Sequence, residues 1–108
     1  MNINDYTFED TDETADMKHL DKKCFIILQQ RNARQSLTII YNLDDDLDAV
    51  KIMKAMQRKF ACSGAVKNDK KYGQIIQLQG DQRYAAAEWL YYHEVYDRKE
   101  ARIVIQGA

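Results

Sequence analysis

A chain of 108 residues with a net charge of −1 has the length of one domain and can bury a single core without disulfides or a structural metal. No apolar run approaches the ~20 residues of a membrane span, and the first residues lack a basic start followed by an apolar stretch, so neither a membrane segment nor an export signal is expected. The near-neutral total conceals a division: residues 1–21 carry seven acids and one base, a sum of −6, and the remainder carries fifteen bases and ten acids, or +5.

Residues 1–21 are polar and acidic, and their few apolar side chains show no sustained period. Such a segment cannot bury enough surface to offset its conformational entropy, so it is expected to be a mostly disordered tail, with the folded domain at 22–108. A solubilising tail is the simpler reading. The other is a tail that competes with RNA for the basic part of the chain or binds a basic partner.

The stretch CFIILQQ (24–30) reads as a strand, and SLTIIYNL (36–43), rich in β-branched and aromatic residues, as a second. The short link between them, Arg31-Asn32-Ala33-Arg34-Gln35, makes a hairpin. A tight tip needs positive φ at both central residues, and an alanine there costs ~1 kcal/mol. Either the loop opens into a longer turn or Ala33 holds mild strain. Two guanidiniums beside an Asn, with no acid nearby, suit phosphate or base contacts.

Asp44, Asp45, Asp46 and Asp48 precede a helix expected over 47–62, where carboxylates cap the first turn and complement the dipole. No calcium-loop pattern follows them, so capping is preferred to a metal site. Ala49, Ile52, Met53, Met56 and Phe60 share one side at helical spacing and are expected in the core. Lys51, Lys54 and Arg58 recur on the opposite side with Lys59 at its border, and no acids are interleaved. A stripe of one sign repels itself and fits an anionic partner. Gly64 is expected at the position just past the helix.

A third strand opens at 65–67, followed by a polar loop, NDKKYG (68–73), with Lys70 and Lys71 near its tip. QIIQLQ (74–79) is the fourth strand, its Ile76 and Leu78 alternating with glutamines. Gly80 permits a tight turn, and Asp81 is a candidate N-cap for a second helix over 82–93. Ala86, Trp89, Leu90 and His93 form its packing face. Tyr91, Tyr92 and Tyr96 add aromatic surface that could stack on bases. Residues 97–100 form a charged loop, and RIVI (102–105) a last strand.

The order β-β-α-β-β-α-β predicts a two-layer α/β sandwich of the α+β kind: a five-stranded mixed sheet covered on one face by two helices. Cys24 and Cys62 are expected as two buried thiols of a reducing compartment rather than a disulfide. With His19 and His93 they show no metal-ligand spacing. No paired carboxylates, nucleophile–base set or phosphate-cradling glycine loop stands out, so an enzyme is not expected.

Three stretches, QQRNAR (29–34), KFACSGAV (59–66) and YGQIIQLQGDQR (72–83), closely resemble the eukaryotic translation initiation factor 1 family, of SUI1 type. The similarity runs from about residue 24 to the C-terminus. It implies a cytoplasmic, monomeric factor without cofactor or metal. Such a factor binds the small ribosomal subunit near the decoding and P sites, promotes scanning, opposes wrong start codons and leaves on start-codon recognition. The implied partners are ribosomal RNA, initiation factors 1A, 2, 3 and 5, and initiator tRNA nearby. The family's rRNA-binding loop falls on Arg31, Asn32, Ala33, Arg34 and Gln35, and its basic helix face on Lys51, Lys54, Arg58 and Lys59. Its tRNA-proximal loop falls on Asn68, Asp69, Lys70, Lys71 and Tyr72. Three departures stand out. Ala33 and Gln35 replace a Gly and a Lys of the first loop. Glu94 replaces a Gly after the second helix. The last strand looks displaced by one residue and ends in Gly-Ala. The alternative is a protein-interaction module of the same fold that does not bind the ribosome.

Overall fold

The computed structural model describes residues 22–107; the acidic tail expected at 1–21 lies outside the described residues. Strands β1 (Cys24–Gln30) and β2 (Ser36–Tyr41) form a hairpin, helix α1 (Ala49–Phe60) follows, and β3 (Gly64–Asp69) and β4 (Gly73–Gln79) form a second hairpin. Helix α2 (Arg83–Tyr92), a 3-10 turn at Arg98–Glu100 and β5 (Ile103–Gln106) complete the order. The sheet runs β3-β4-β2-β1-β5, antiparallel except for the parallel β1–β5 pair. This is the mixed five-stranded sheet and two-helix arrangement expected of the pattern.

Register explains the core. Ile105, Ile26, Ile40, Ile76 and Val66 are successive cross-strand partners across all five strands, and Ile26, Ile40 and Ile76 are fully buried. With period-two alternation these side chains share one face. Against it pack Ile52, Met53 and Met56 of α1, and Ala86, Ala87 and Leu90 of α2.

Helix α1 is shorter at both ends than expected. Asp48 is its N-cap, its Oδ1 accepting the N–H groups of Val50 and Lys51 at 3.1 and 3.2 Å. At the other end Ala61 takes the left-handed conformation (φ 53°), so the stop falls three residues before Gly64. Gly64 instead opens β3, where a Cβ would lie 3.0 Å from Leu78 Cδ2 and 3.2 Å from Met53 Sδ. The glycine is needed for the close approach of helix and sheet, not for turning the chain.

Asp44 does not cap the helix either. It is buried in an ion pair with the buried Arg102. The Arg102 guanidinium also donates to the Lys22 carbonyl at 3.0 Å and lies 4.8 Å from the Tyr96 ring centre. Tyr96, expected as aromatic surface, is only 2% exposed, and its hydroxyl accepts the Asp44 N–H at 3.2 Å. Burial pushes the adjacent Cys24 thiol up to about 12, against a lowering hydrogen bond to Tyr96. The network ties the start of β1, the β2–α1 link and the start of β5 together. Both cysteines are free, and Cys62 is half-buried rather than buried.

The entry to α2 differs as well. Asp81 lies one residue before the N-cap, Gln82, which makes no side-chain capping bond. Asp81 instead grips Arg83 through two 2.8 Å bonds, and Arg83 reaches the Gln106 carbonyl at 2.9 Å. Gly80 makes the expected turn at φ +87°. His93 is exposed at the C-cap, its ring 4.4 Å from Trp89, so it leaves the packing face. Glu94 then adopts φ 58°, a conformation that favours glycine. The last strand runs one residue later than the expected 102–105, although the Arg102 carbonyl still accepts the Cys24 N–H at 2.8 Å.

Candidate nucleic-acid interface

The first hairpin loop is organised by Asn32. Its Oδ1 accepts the N–H groups of Arg34 and Gln35 at 2.8 and 3.0 Å, and its Nδ2 donates to Gln35 Oε1 at 3.3 Å. The Gln30 side-chain amide donates to the Asn32 and Gln35 carbonyls. Ala33 is not among the residues with positive φ, so the loop takes the open, unstrained alternative. Asn32 and Gln35 thus shape the turn from within, and the exposed guanidiniums of Arg31 and Arg34 remain available for a partner.

On α1, Lys51, Lys54, Arg58 and Lys59 are all exposed. Arg58 and Lys59 lie in the last turn, where a cation also complements the helix dipole. In the second hairpin, Asn68 and Asp69 are still paired within β3, opposite Gln74 and Gly73, so the turn proper is Lys70–Tyr72 rather than 68–73. Asp69 closes it by accepting the N–H groups of Lys71 and Tyr72 at 2.8 and 3.0 Å. Tyr72 packs inward, its ring 4.2 Å from Tyr41, which in turn stacks on Phe25 at 5.1 Å. Lys70 and Lys71 are left at the tip, Lys71 Nζ standing 5.2 Å above the Tyr72 ring.

Three shallow hollows join these pieces. One, of about 400 Å³, is lined by Arg31, Lys67, Gln77, Ser63 and Gln79 among others. Ser63 and Gln79 are shared with a second hollow that holds Lys54, Arg58 and Cys62. Burial raises the Cys62 thiol, partly offset by a hydrogen bond from the Gln79 backbone. Arg31, Lys67 and Gln77 are shared with a third, which reaches Asn68, Asp69 and Tyr72. The result is one open track from the second hairpin turn, past the first loop, to the C-terminal half of α1. Arg31 lines two of its hollows, and Lys54 and Arg58 line the third. Arg34 and Lys51 line none of the three hollows. Lys59 borders a different groove, between the helices, with Phe60, Trp89, Tyr92 and His93.

Lys67 lines two of the three hollows, as Arg31 does, and belongs to no motif or one-sign stripe in the sequence. The alternation of half-buried Val66 with exposed Lys67 was the available signal. Among the described residues, none of Arg31, Arg34, Lys51, Lys54, Arg58, Lys59, Lys67, Lys70 and Lys71 lies within ion-pair distance of a carboxylate; the ion pairs use Lys22, Arg83, Arg98 and Arg102. The track is therefore a row of cations without ion pairs among the described residues, lined by one acid, Asp69, at its β3–β4 end, and it is suited to a polyanion. No group of three potential metal ligands occurs among the described residues, and no described helix is long and apolar enough to cross a membrane.

The sequence profile described as Translation initiation factor SUI1 matches residues 20–96. The chain is 42% identical over 82 residues to eukaryotic translation initiation factor 1 of Homo sapiens, covering 76% of this chain and 71% of that one. It is 40% identical over 85 residues to eukaryotic translation initiation factor eIF-1 of Saccharomyces cerevisiae, covering 77% and 75%. Among solved structures, the C-terminal domain of human eIF2D superposes with a TM-score of 0.65 at 26% identity, over 81% of this chain and 43% of that chain.

Proposed function

The chain belongs to the translation initiation factor SUI1 family, and we propose that it acts in that machinery by docking its basic track on folded RNA of the small ribosomal subunit, near the decoding site. In this reading bound factor promotes scanning, opposes pairing at wrong start codons and departs when the correct codon is recognised. Arg31, Lys54, Arg58 and Lys67 contact phosphates along the track, and Arg34, Lys51 and Lys59 extend the field around it. Lys70 and Lys71, at the tip of the β3–β4 turn, approach the initiator tRNA, whose accommodation evicts the turn. Initiation factors 1A, 2, 3 and 5 are the protein partners that go with this role.

The observation that supports it is the absence, among the described residues, of any carboxylate within ion-pair distance of the track's cations. A surface charged only for solubility gains more from interleaved signs, because a row of like charges repels itself. Phosphate docking turns that repulsion into affinity and makes binding fall with salt, each contact adding about one unit to the log–log slope.

The test is co-sedimentation with purified small subunits, with and without factor 1A, for the chain and for a Lys54→Glu/Arg58→Glu variant. Weaker binding by a variant that melts like the parent supports docking. An unchanged dissociation constant at near-physiological salt overturns it. Affinity capture separates the interaction-module reading: ribosomal RNA with initiation factors favours the first, protein partners without RNA the second.

A further inference from the structure

Most acids of the described fold have partners other than the track's cations, although one of them, Asp69, lines the track. Asp44 and Glu100 face Arg102, Asp45 faces Lys22, Asp81 faces Arg83 and Glu88 faces Arg98. Asp48 and Asp97 cap helical turns, and Asp69 closes its own turn. Of the ten acids beyond residue 21, only Asp46 and Glu94 have no such role. The other seven acids of the chain stand together in residues 1–21, beside one lysine.

The structure also fixes where that segment leaves the domain. Lys22 is held by the bond from Arg102 to its carbonyl and by its own ion pair with Asp45 at 3.2 Å. It lines a hollow together with Tyr72, Gly73 and Gln74. Lys22 therefore stands at the β3–β4 end of the sheet, in a hollow that shares Tyr72 with the near end of the basic track. Fully extended, 21 residues reach roughly 70 Å, so contour length does not limit access to any cation on the track.

We propose that residues 1–21 are an intramolecular competitor of RNA: in the free protein their carboxylates lie along the track, over Lys70, Lys71, Lys67 and Arg31, and RNA must displace them to dock. The inference rests on the reading of the track as a polyanion site. The tethered segment sits at a high effective concentration, so weak pairwise attractions suffice to occupy the site. Phosphates, with denser charge, win at full contact, whereas an RNA that offers a few phosphates does not. The segment thus suppresses partial, non-specific engagement more than complete docking.

The experiment uses the full chain with a nitroxide on Thr11→Cys in a Cys62→Ser background, without RNA, at low salt. Selective broadening of the Lys67, Lys70 and Lys71 amide signals, reversed when all seven acids of the segment become Asn or Gln, is expected. Broadening that is absent, or spread evenly over the domain, overturns the proposal. The second readout is affinity for a short unstructured RNA. Neutralising the seven acids should tighten binding roughly threefold at about 50 mM salt, with the gain lost near 300 mM. Equal affinity of the two proteins at low salt also overturns it. Segment contact without small-subunit binding would leave the competitor standing and remove the ribosomal role; binding without contact would do the reverse.

Discussion

The Thr38 hydroxyl accepts the backbone N–H of Gln82 at 2.7 Å, so a side chain from the middle of β2 caps the start of α2. The same hydroxyl donates to the Gly80 carbonyl at 2.7 Å. Thr38 is fully buried, and Gln82 supplies no cap of its own. The strand-to-helix passage after β4 is thus held by a residue more than forty positions upstream. Thr38→Val keeps the shape and removes both bonds. It should cost about 2 kcal/mol, because a buried donor and acceptor lose their partner. Urea unfolding should show the lower midpoint with an unchanged slope.

Gly64 and Ala61 predict opposite signs for exchanges between the same two residue types. Ala61 occupies the left-handed region at φ 53°, so Ala61→Gly relieves strain and should stabilise the domain by up to ~1 kcal/mol. At Gly64 a Cβ meets Leu78 and Met53 at 3.0 and 3.2 Å. Gly64→Ala should therefore destabilise by about 1–3 kcal/mol through overpacking. Thermal melts of the two variants should bracket the parent.

The buried Cys24 thiol makes stability fall in alkali. Burial raises its pKa in the fold to about 12, while in the unfolded chain it ionises near 9. Between those values the unfolded state has lost a proton that the native state keeps. The stabilisation is fully present below pH 9 and declines as pH rises toward 12, by about 1.4 kcal/mol per unit. Tyr96, also raised by burial, steepens the decline above its ordinary range. Chemical denaturation across pH 8–10.5 should show the slope beginning near 9. In the native state Ellman's reagent should modify the half-buried Cys62 and spare Cys24 until the domain opens.

Lys67 and Lys59 separate the track from charge in general. Lys67 lines two of the joined hollows, whereas Lys59 borders the groove between the helices. Each reversal to Glu changes net charge equally. Lys67→Glu should lower RNA affinity more, and reduce the log–log salt slope by about one. Fluorescence anisotropy titrations at several salt concentrations should resolve the two; identical losses would remove the special status of the track.

Local patterning alone determined much of this protein. Alternation in CFIILQQ and QIIQLQ, the helical spacing of Ile52, Met53 and Met56, and the punctuation of Asp48 and Gly80 specify the element order and the core. Those signals depend only on neighbours a few residues apart. The one-sign stripe of Lys51, Lys54 and Arg58 is visible for the same reason. What the tertiary structure decided involves residues brought together by the β2–β4 and β1–β5 pairings. Thr38 caps a distant helix, Asp44 pairs with Arg102 rather than capping, Tyr96 is buried, and Ser63 and Gln79 join the hollow of Arg31 and Lys67 to that of Lys54 and Arg58. Whether an acid is a cap or half of a buried pair depends on the strand order that sets its neighbours. That order arises from packing the whole sheet, and no short window of the chain contains it.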